Sequence, residues 1–180
     1  ETGMAEYFKC DGFDRDGYPC SSERVKLIEG PKGPRGPRGS AGKNYTTAHL
    51  SAVNTGGTIL EVSAHGTAVP LNRFLVSRGF TPDESFTSFI VEKAGTYFMT
   101  YDVRTVQATS LKSRIVKNGV PLPETVRACS GGNSCFFASS ICILNAGDVL
   151  ALQLYSLDIA VSLQRESGAS LVVCLLYTSD

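Results

Sequence analysis

Residues 96–106 read TYFMTYDVRTV, a stretch of the chain in which largely apolar and largely polar positions alternate. An extended chain would therefore present two chemically different faces there. One face carries Tyr97, Met99, Tyr101 and Val103. The other carries Phe98, Thr100, Asp102 and Arg104. This period of two predicts a β-strand.

Turn signals divide the sequence around this strand into short segments. Asn118-Gly119 lies between SLKSRIV and VPLP, which predicts a two-residue type I′ hairpin. SSICIL passes through NAGD into VLALQLY, which predicts a second pair of strands, with leucines at 150, 152 and 154 on one face. Further strands are predicted at TILEVS, RFLVSR, FTSFIVEK and CFFASS. Regular short strands of this kind indicate an all-β antiparallel sandwich or jelly roll.

The segment ASLVVCLLY, residues 169–177, is apolar on both of its faces. An antiparallel strand with one solvent-exposed face should alternate between apolar and polar residues, so both faces of this strand must be covered by other parts of the protein. A subunit interface would provide that cover, and we expect the strand to lie at or near a threefold axis. The alternative is a central strand covered by a loop of its own subunit.

Residues 30–44, GPKGPRGPRGSAGKN, form five Gly-X-Y triplets, with glycines at Gly30, Gly33, Gly36, Gly39 and Gly42. Glycine at every third position is what a collagen triple helix requires, because only hydrogen fits at its crowded axis. Fifteen residues make a rod of about 45 Å. Since so short a rod should not hold three chains together alone, we expect trimer stability to reside elsewhere in the chain.

The 180 residues predict three segments. Residues 1–29 form a polar, cysteine-containing head whose first three residues resemble a cloning remnant, residues 30–44 are collagen-like, and residues 45–180 form the β domain. Seventeen basic and seventeen acidic residues cancel, which argues against nucleic acid as the main partner. The longest apolar run is far shorter than the roughly 20 residues of a spanning helix, so no membrane insertion is expected.

Several motifs occur in the order typical of a known family, namely FIVEKAGTYFMTYDV, SRIVKNGVPLP, ICILNAGDVLALQLY and GASLVVCLLY behind Gly-X-Y triplets. Residues 45–177 resemble the C1q-like trimerising domain of the C1q and tumour-necrosis-factor superfamily. Within it they are most similar to the C-terminal domain of bacterial collagen-like exosporium glycoproteins. The resemblance implies a ten-stranded jelly roll, a tight homotrimer with the stalk leaving from one end, and no enzymatic activity.

Two strands are predicted to surround the threefold axis. The trimer-interface residues expected on them are Tyr97, Met99, Tyr101, Leu171, Val173, Leu175 and Tyr177. In a trimer, Lys32, Arg35 and Arg38 would stack nine positive charges on the collagen rod, which predicts a contact for a polyanion. The alternative is that these cations stabilise the triple helix and pair with nearby carboxylates.

Six cysteines favour an oxidising, extracellular or surface setting. Cys129 and Cys135 bracket a glycine-rich loop and predict a local disulfide. Cys10 and Cys20 could pair within one head or between chains, whereas Cys142 and Cys174 lie in apolar strands and are expected as buried free thiols.

Other candidate sites are weaker. Asn44 begins an N-glycosylation motif, which matters only on a eukaryotic secretory route. Asp14, Asp16 and Glu23 fall in the phase of a calcium loop whose first position is Gly12, so an ordinary acidic turn is the preferred interpretation. His49 and His65 are the only histidines, and no nucleophile with an adjacent base is apparent, so neither a catalytic nor a metal site is predicted.

These patterns predict a non-enzymatic, surface-exposed homotrimer on a spore, cell or virion. Its C-terminal domain would select three chains, nucleate the collagen segment and set its register. The partners expected besides the chain itself are a surface-layer protein, a receptor or a glycan. The alternatives are a secreted C1q-like recognition ligand and a viral or phage fibre tip.

Overall fold

The computed structural model describes residues 32–39, 47–106, 110–128 and 134–178, together with the backbone of residues 12–13 and 19–20. The chain divides into two compact units, Glu1–Ala41 and Gly42–Asp180. The three predicted segments with bounds at residues 29 and 44 stay a prediction.

In the first unit, strand β1 (Gly12–Phe13) pairs antiparallel with β2 (Pro19–Cys20). Residues 32–39 have no regular secondary structure, and all eight are exposed. A Cβ placed on Gly33, Gly36 or Gly39 would meet no atom within 4 Å, and none of the three has a positive φ. Nothing within this part of one chain therefore explains why these positions are glycine.

The second unit is built of strands. They are β3 (His49–Gly56), β4 (Ile59–Val62), β5 (Thr67–Ala68), β6 (Arg73–Arg78), β7 (Phe80–Pro82), β8 (Phe89–Val91), β9 (Gly95–Arg104), β10 (Lys112–Lys117), β11 (Val120–Pro121), β12 (Arg127–Ala128), β13 (Cys135–Leu144), β14 (Val149–Tyr155), β15 (Ile159–Ser162) and β16 (Arg165–Tyr177). A single turn of 3₁₀ helix spans Pro123–Thr125. The predicted all-β sandwich is confirmed.

Two main antiparallel sheets form the sandwich. One has five strands in the order β13-β9-β16-β3-β6. The second runs β11-β10-β14-β8-β7, with β12 added beside β10 and β5 beside β14, while β4 and β15 form a separate pair. Because β16 lies between β9 and β3, the last strand of the domain occupies the middle of the five-stranded sheet.

The core lies between the sheets, and β9 shows how the sequence builds it. Tyr97, Met99, Tyr101 and Val103 are all fully buried, as their shared face requires. Leu150, Leu152 and Leu154 of β14 are buried opposite them, which confirms that they share a face. Burying an aliphatic or aromatic side chain contributes about 1.5–3 kcal/mol, so this alternation stabilises the sandwich directly.

The Asn118-Gly119 hairpin is confirmed. Both residues have positive φ, 52° and 78°, as a type I′ turn demands, and they join β10 to β11. CFFASS and SSICIL, predicted as separate segments, form the single ten-residue strand β13.

The predicted pairing of SSICIL with VLALQLY is wrong. Strand β13 pairs with β9 in the five-stranded sheet, whereas β14 pairs with β10, β8 and β5 in the other. The Asn145–Asp148 turn therefore carries the chain from one sheet to the other. A turn motif shows that the chain reverses, but it does not show whether the two strands share a sheet.

Asp148 holds this crossing turn against the Asn118-Gly119 hairpin. One carboxylate oxygen accepts from the Asn118 amide at 2.7 Å, and the other accepts from the Asn145 backbone N–H at 2.8 Å. The Asn118 carbonyl oxygen in turn accepts from the Val149 N–H at 2.7 Å. Burial opposes ionisation of Asp148, but these donors and the Lys117 ammonium outweigh it and lower its pKa.

We expect Asp148→Ala to lower the free energy of unfolding by about 1–3 kcal/mol, because it leaves donors of Asn118 and Asn145 unpaired. Since the native pKa is lowered, Asp148 contributes stability above its unfolded pKa and loses that contribution as pH falls below about 4. Urea titrations at pH 7 and pH 3 should show the difference between variant and parent shrinking at low pH. Asp158→Ala, at an exposed carboxylate, is the control, and an equal loss in both variants would contradict this role.

Candidate self-association face

The five-stranded sheet turns one side towards the core, and we call its opposite side the outer face. The apolar side chains on this outer face include Val53, Leu75, Val76, Phe98, Phe137, Ile141, Ile143, Val172, Cys174 and Leu176. Twelve large apolar side chains of the described residues are exposed, and six of them belong to this set. Half of the exposed large apolar groups therefore gather on one side of one sheet.

Strand register brings apolar members on β13, β9 and β16 side by side. Ile141 of β13 lies opposite Phe98 of β9, and Phe98 lies opposite Cys174 of β16. Ile141 is 62% exposed and Ile143 is 64% exposed, while Phe98 is half-buried between its neighbours. Monomeric proteins rarely leave a contiguous apolar patch of this kind uncovered, so the outer face is suited to protein contact.

The other end of the outer face is ionic. Arg104 donates from Nε to the Asp102 carboxylate at 2.9 Å. Both residues line a cleft of about 450 Å³, with Arg73 and Glu166 also on its wall. The face therefore changes from apolar to charged along the strands.

The apolar end lies where the chain enters the domain. His49, the first residue of β3, is opposite Cys174, and the Leu175 N–H donates to the Ala48 carbonyl at 2.9 Å. If copies of this domain associate through the apolar end, the contact would lie near the start of β3, the first strand after the Gly-X-Y triplets in sequence.

Six of the seven predicted interface residues are wrong. Tyr97, Met99, Tyr101, Leu171, Val173 and Leu175 are each at most 1% exposed in a single chain. They pack in the sandwich core and cannot reach a partner, whereas Tyr177 is 58% exposed and can. The prediction chose the wrong face of two strands, because β16 is apolar on both sides and alternation does not say which side faces the second sheet. The prediction that both faces of β16 must be covered still stands, and the side chains that need the second cover are Val172, Cys174 and Leu176.

The cysteines differ in their surroundings. Cys142 and Cys174 are free and half-buried, and burial raises the pKa of the Cys142 thiol, so it is a poor nucleophile. Cys174 belongs to the outer face rather than to the core. Cys135 is exposed, but Cys129 lies outside the described residues, so the disulfide between them stays a prediction.

The remaining predicted sites fall largely outside the part of the chain that the structure describes. This applies to Gly30, Gly42, Cys10, Asn44, Asp14, Asp16, Glu23 and the side chain of Cys20. Within the described ranges, no group of three or more His, Cys, Asp and Glu residues could hold a metal ion.

A separate cleft of about 670 Å³ lies beside the second sheet, where sequence reasoning identified no site. Its wall includes Lys112, Tyr155, Leu157 and Asp158. The Arg114 guanidinium stacks 4.3 Å from the centre of the Tyr155 ring and donates to the His65 carbonyl at 2.8 Å. Because Lys112 and Tyr155 face each other across β10 and β14, this cleft and the outer face belong to different sheets.

A sequence profile described as the BclA C-terminal domain matches residues 50–176. This range includes every strand of the sandwich from β4 to β15 and nearly all of β3 and β16. The chain belongs to the BclA C-terminal domain family. The predicted resemblance to collagen-like exosporium glycoproteins is thereby confirmed.

Solved structures place this BclA-family chain in the tumour-necrosis-factor and C1q fold. Eiger TNF from S. frugiperda is 14% identical at a TM-score of 0.56, covering 77% of this chain and 96% of that chain. Murine APRIL is 18% identical at a TM-score of 0.54, covering 71% of this chain and 98% of that chain. The globular domain of zebrafish complement 1qA protein is 14% identical at a TM-score of 0.52, covering 73% of this chain and 99% of that chain. These likenesses confirm the predicted jelly roll.

No curated protein matches the BclA-family chain in sequence. Among its described residues, no helix combines the length and apolar character needed to cross a membrane.

Proposed function

We propose that this chain is a non-enzymatic structural or adhesive protein of an extracellular or surface layer, and that its sandwich domain joins three copies. The outer face is the observation that carries the proposal, because its exposed apolar side chains need a cover that the described residues of one chain do not provide. Membership of the BclA C-terminal domain family supports both the surface setting and self-association.

The Gly-X-Y triplets support three copies rather than two. Gly33, Gly36 and Gly39 have neither a positive φ nor a close neighbour among the described residues of their own chain. Glycine at every third position is explained by a triple helix, in which each glycine meets the other two chains at the axis.

The sandwich would help the short triple helix to form by raising local concentration. Once three domains associate, their triplets meet at an effective concentration of about a millimolar, so triple-helix formation becomes an intramolecular step. Symmetric contact through the outer faces would also align the three chains at the same residue, which sets the register of the triplets.

Sedimentation equilibrium and circular dichroism test this function together. At micromolar concentration we expect the full chain to sediment with three times its own mass of 19.2 kDa, and the fragment of residues 45–180 to sediment with three times the mass of that fragment. The full chain should also show collagen-type dichroism in the cold that is lost on warming. A monomeric domain would contradict trimerisation. A collagen-type signal that persists without the domain would contradict nucleation.

The second candidate is a secreted recognition ligand, or the tip of a viral or phage fibre. The cleft beside Tyr155 favours it, since this cleft and the outer face lie on different sheets and one could bind while the other associates. Binding of the isolated trimer to a defined receptor or glycan, lost on Tyr155→Ala, would favour this candidate over a purely structural role.

A further inference from the structure

The segment Lys32–Gly39 is the most strongly charged exposed stretch that the structure describes. Lys32, Arg35 and Arg38 recur every third residue, and all three are exposed. The five triplets also contain Lys43, and they contain no aspartate or glutamate. The chain as a whole is neutral, so this concentration of one sign is local.

Pairing with carboxylates of the same segment does not explain these cations. The last carboxylate before the triplets is Glu29, and the next one along the chain is Glu61. The positive charges therefore have no partner of opposite sign within their own rod.

Three chains would concentrate the charge further, and this step rests on the proposed trimer. A triple helix of the five triplets would carry about twelve cations along about 45 Å, or roughly one every 4 Å. For comparison, duplex DNA carries one negative charge per about 1.7 Å. The rod would thus approach the charge density of a polyelectrolyte and would attract a linear polyanion strongly at low salt.

We propose that the collagen-like rod binds an acidic polysaccharide. Successive cations of one chain would lie about 9 Å apart, which is close to the length of one disaccharide unit. Phosphates of a nucleic acid strand follow one another at about 3.4 Å, a poorer match, and residues 30–44 contain no aromatic side chain on which a base could stack.

The test measures binding of the full chain to immobilised heparin. Salt is varied about sixfold, between 50 and 300 mM, because the release of counterions makes binding weaken measurably over this range. In one variant Lys32, Arg35 and Arg38 are replaced by glutamine, which keeps every glycine of the triplets. The matched control replaces three exposed cations of the sandwich, Lys93, Arg127 and Arg165, by glutamine. We expect the rod variant to lose at least about tenfold in affinity and to bind with a flatter salt dependence, while the control binds as the parent does.

Sedimentation of the same samples separates this inference from the proposed function. A parent trimer that does not bind heparin, or a rod variant that binds as the parent does, would overturn the inference and leave trimerisation intact. A parent protein that is monomeric in sedimentation and still binds heparin would overturn both the proposed trimer and the requirement for three chains in heparin binding. Tighter binding to a single-stranded oligonucleotide of equal charge than to heparin would also count against a polysaccharide.

Discussion

Ile141→Asp is expected to convert the proposed trimer into a monomer, with at least about a hundredfold weaker association. Ile141 lies on the edge strand β13 in the apolar part of the outer face, opposite Phe98. In a trimer three new carboxylates would have to leave water without partners, which costs several kcal/mol. In one chain the same side chain is mostly exposed, so the fold itself should tolerate the change.

Sedimentation gives the mass of the Ile141→Asp variant, and circular dichroism reports both the sandwich and the triplets. The sandwich signal should remain, while the collagen-type signal should disappear because the three chains are no longer held together. Leu157→Asp is the control, since Leu157 is 85% exposed but lies beside the cleft of the other sheet. If the control dissociates and Ile141→Asp stays trimeric, the outer face is not the contact.

Tyr101→Phe is expected to cost about 2–3 kcal/mol of folding free energy, a large loss for the removal of one oxygen. The buried Tyr101 hydroxyl donates to the Thr125 carbonyl at 2.7 Å and therefore accepts from the Ser113 hydroxyl at 2.8 Å. Thr125 is itself buried, and its own hydroxyl accepts from the Ile115 N–H at 2.9 Å. This network ties β9 of one sheet to β10 of the other, and removal of the hydroxyl leaves two buried groups unpaired.

Urea unfolding at one protein concentration measures the loss, because association would otherwise change the apparent stability. Tyr97→Phe is the matched control: its ring is equally buried, but its hydroxyl has one partner, the Lys93 carbonyl at 2.8 Å. We expect the control to lose about half as much. A double-mutant cycle with Ser113→Ala should show coupling, and strict additivity would contradict the shared network.

Local pattern was enough to predict most of the strands and the type I′ turn. The alternation in β9 and the Asn118-Gly119 pair act over a few residues, so they can be read without knowledge of the fold. Long-range pairing could not be predicted in the same way. Asn118 and Asp148 lie in two turns that were each recognised, yet nothing in either turn shows that they meet through a 2.7 Å hydrogen bond.

The outer face shows a second limit of sequence reasoning. In β16, residues of both parities are apolar, so a shift of one residue exchanges the core set for the surface set. Val173 is buried and Val172 is only half-buried, although both residues are valine. The decision comes from the neighbouring strand β9, where Asp102 and Arg104 mark the face that cannot enter an apolar core.

The neighbouring positions of β3 and β16 define how the domain can be engineered. Its entry strand begins beside the end of its exit strand, joined by the hydrogen bond from Leu175 to Ala48. A fusion partner attached after Thr178 would therefore emerge beside the start of β3. Removal of residues up to and beyond Ala48, or from Leu175 onwards, would break the hydrogen bonds between β3 and β16. The shortest fragment that folds should therefore include both residues.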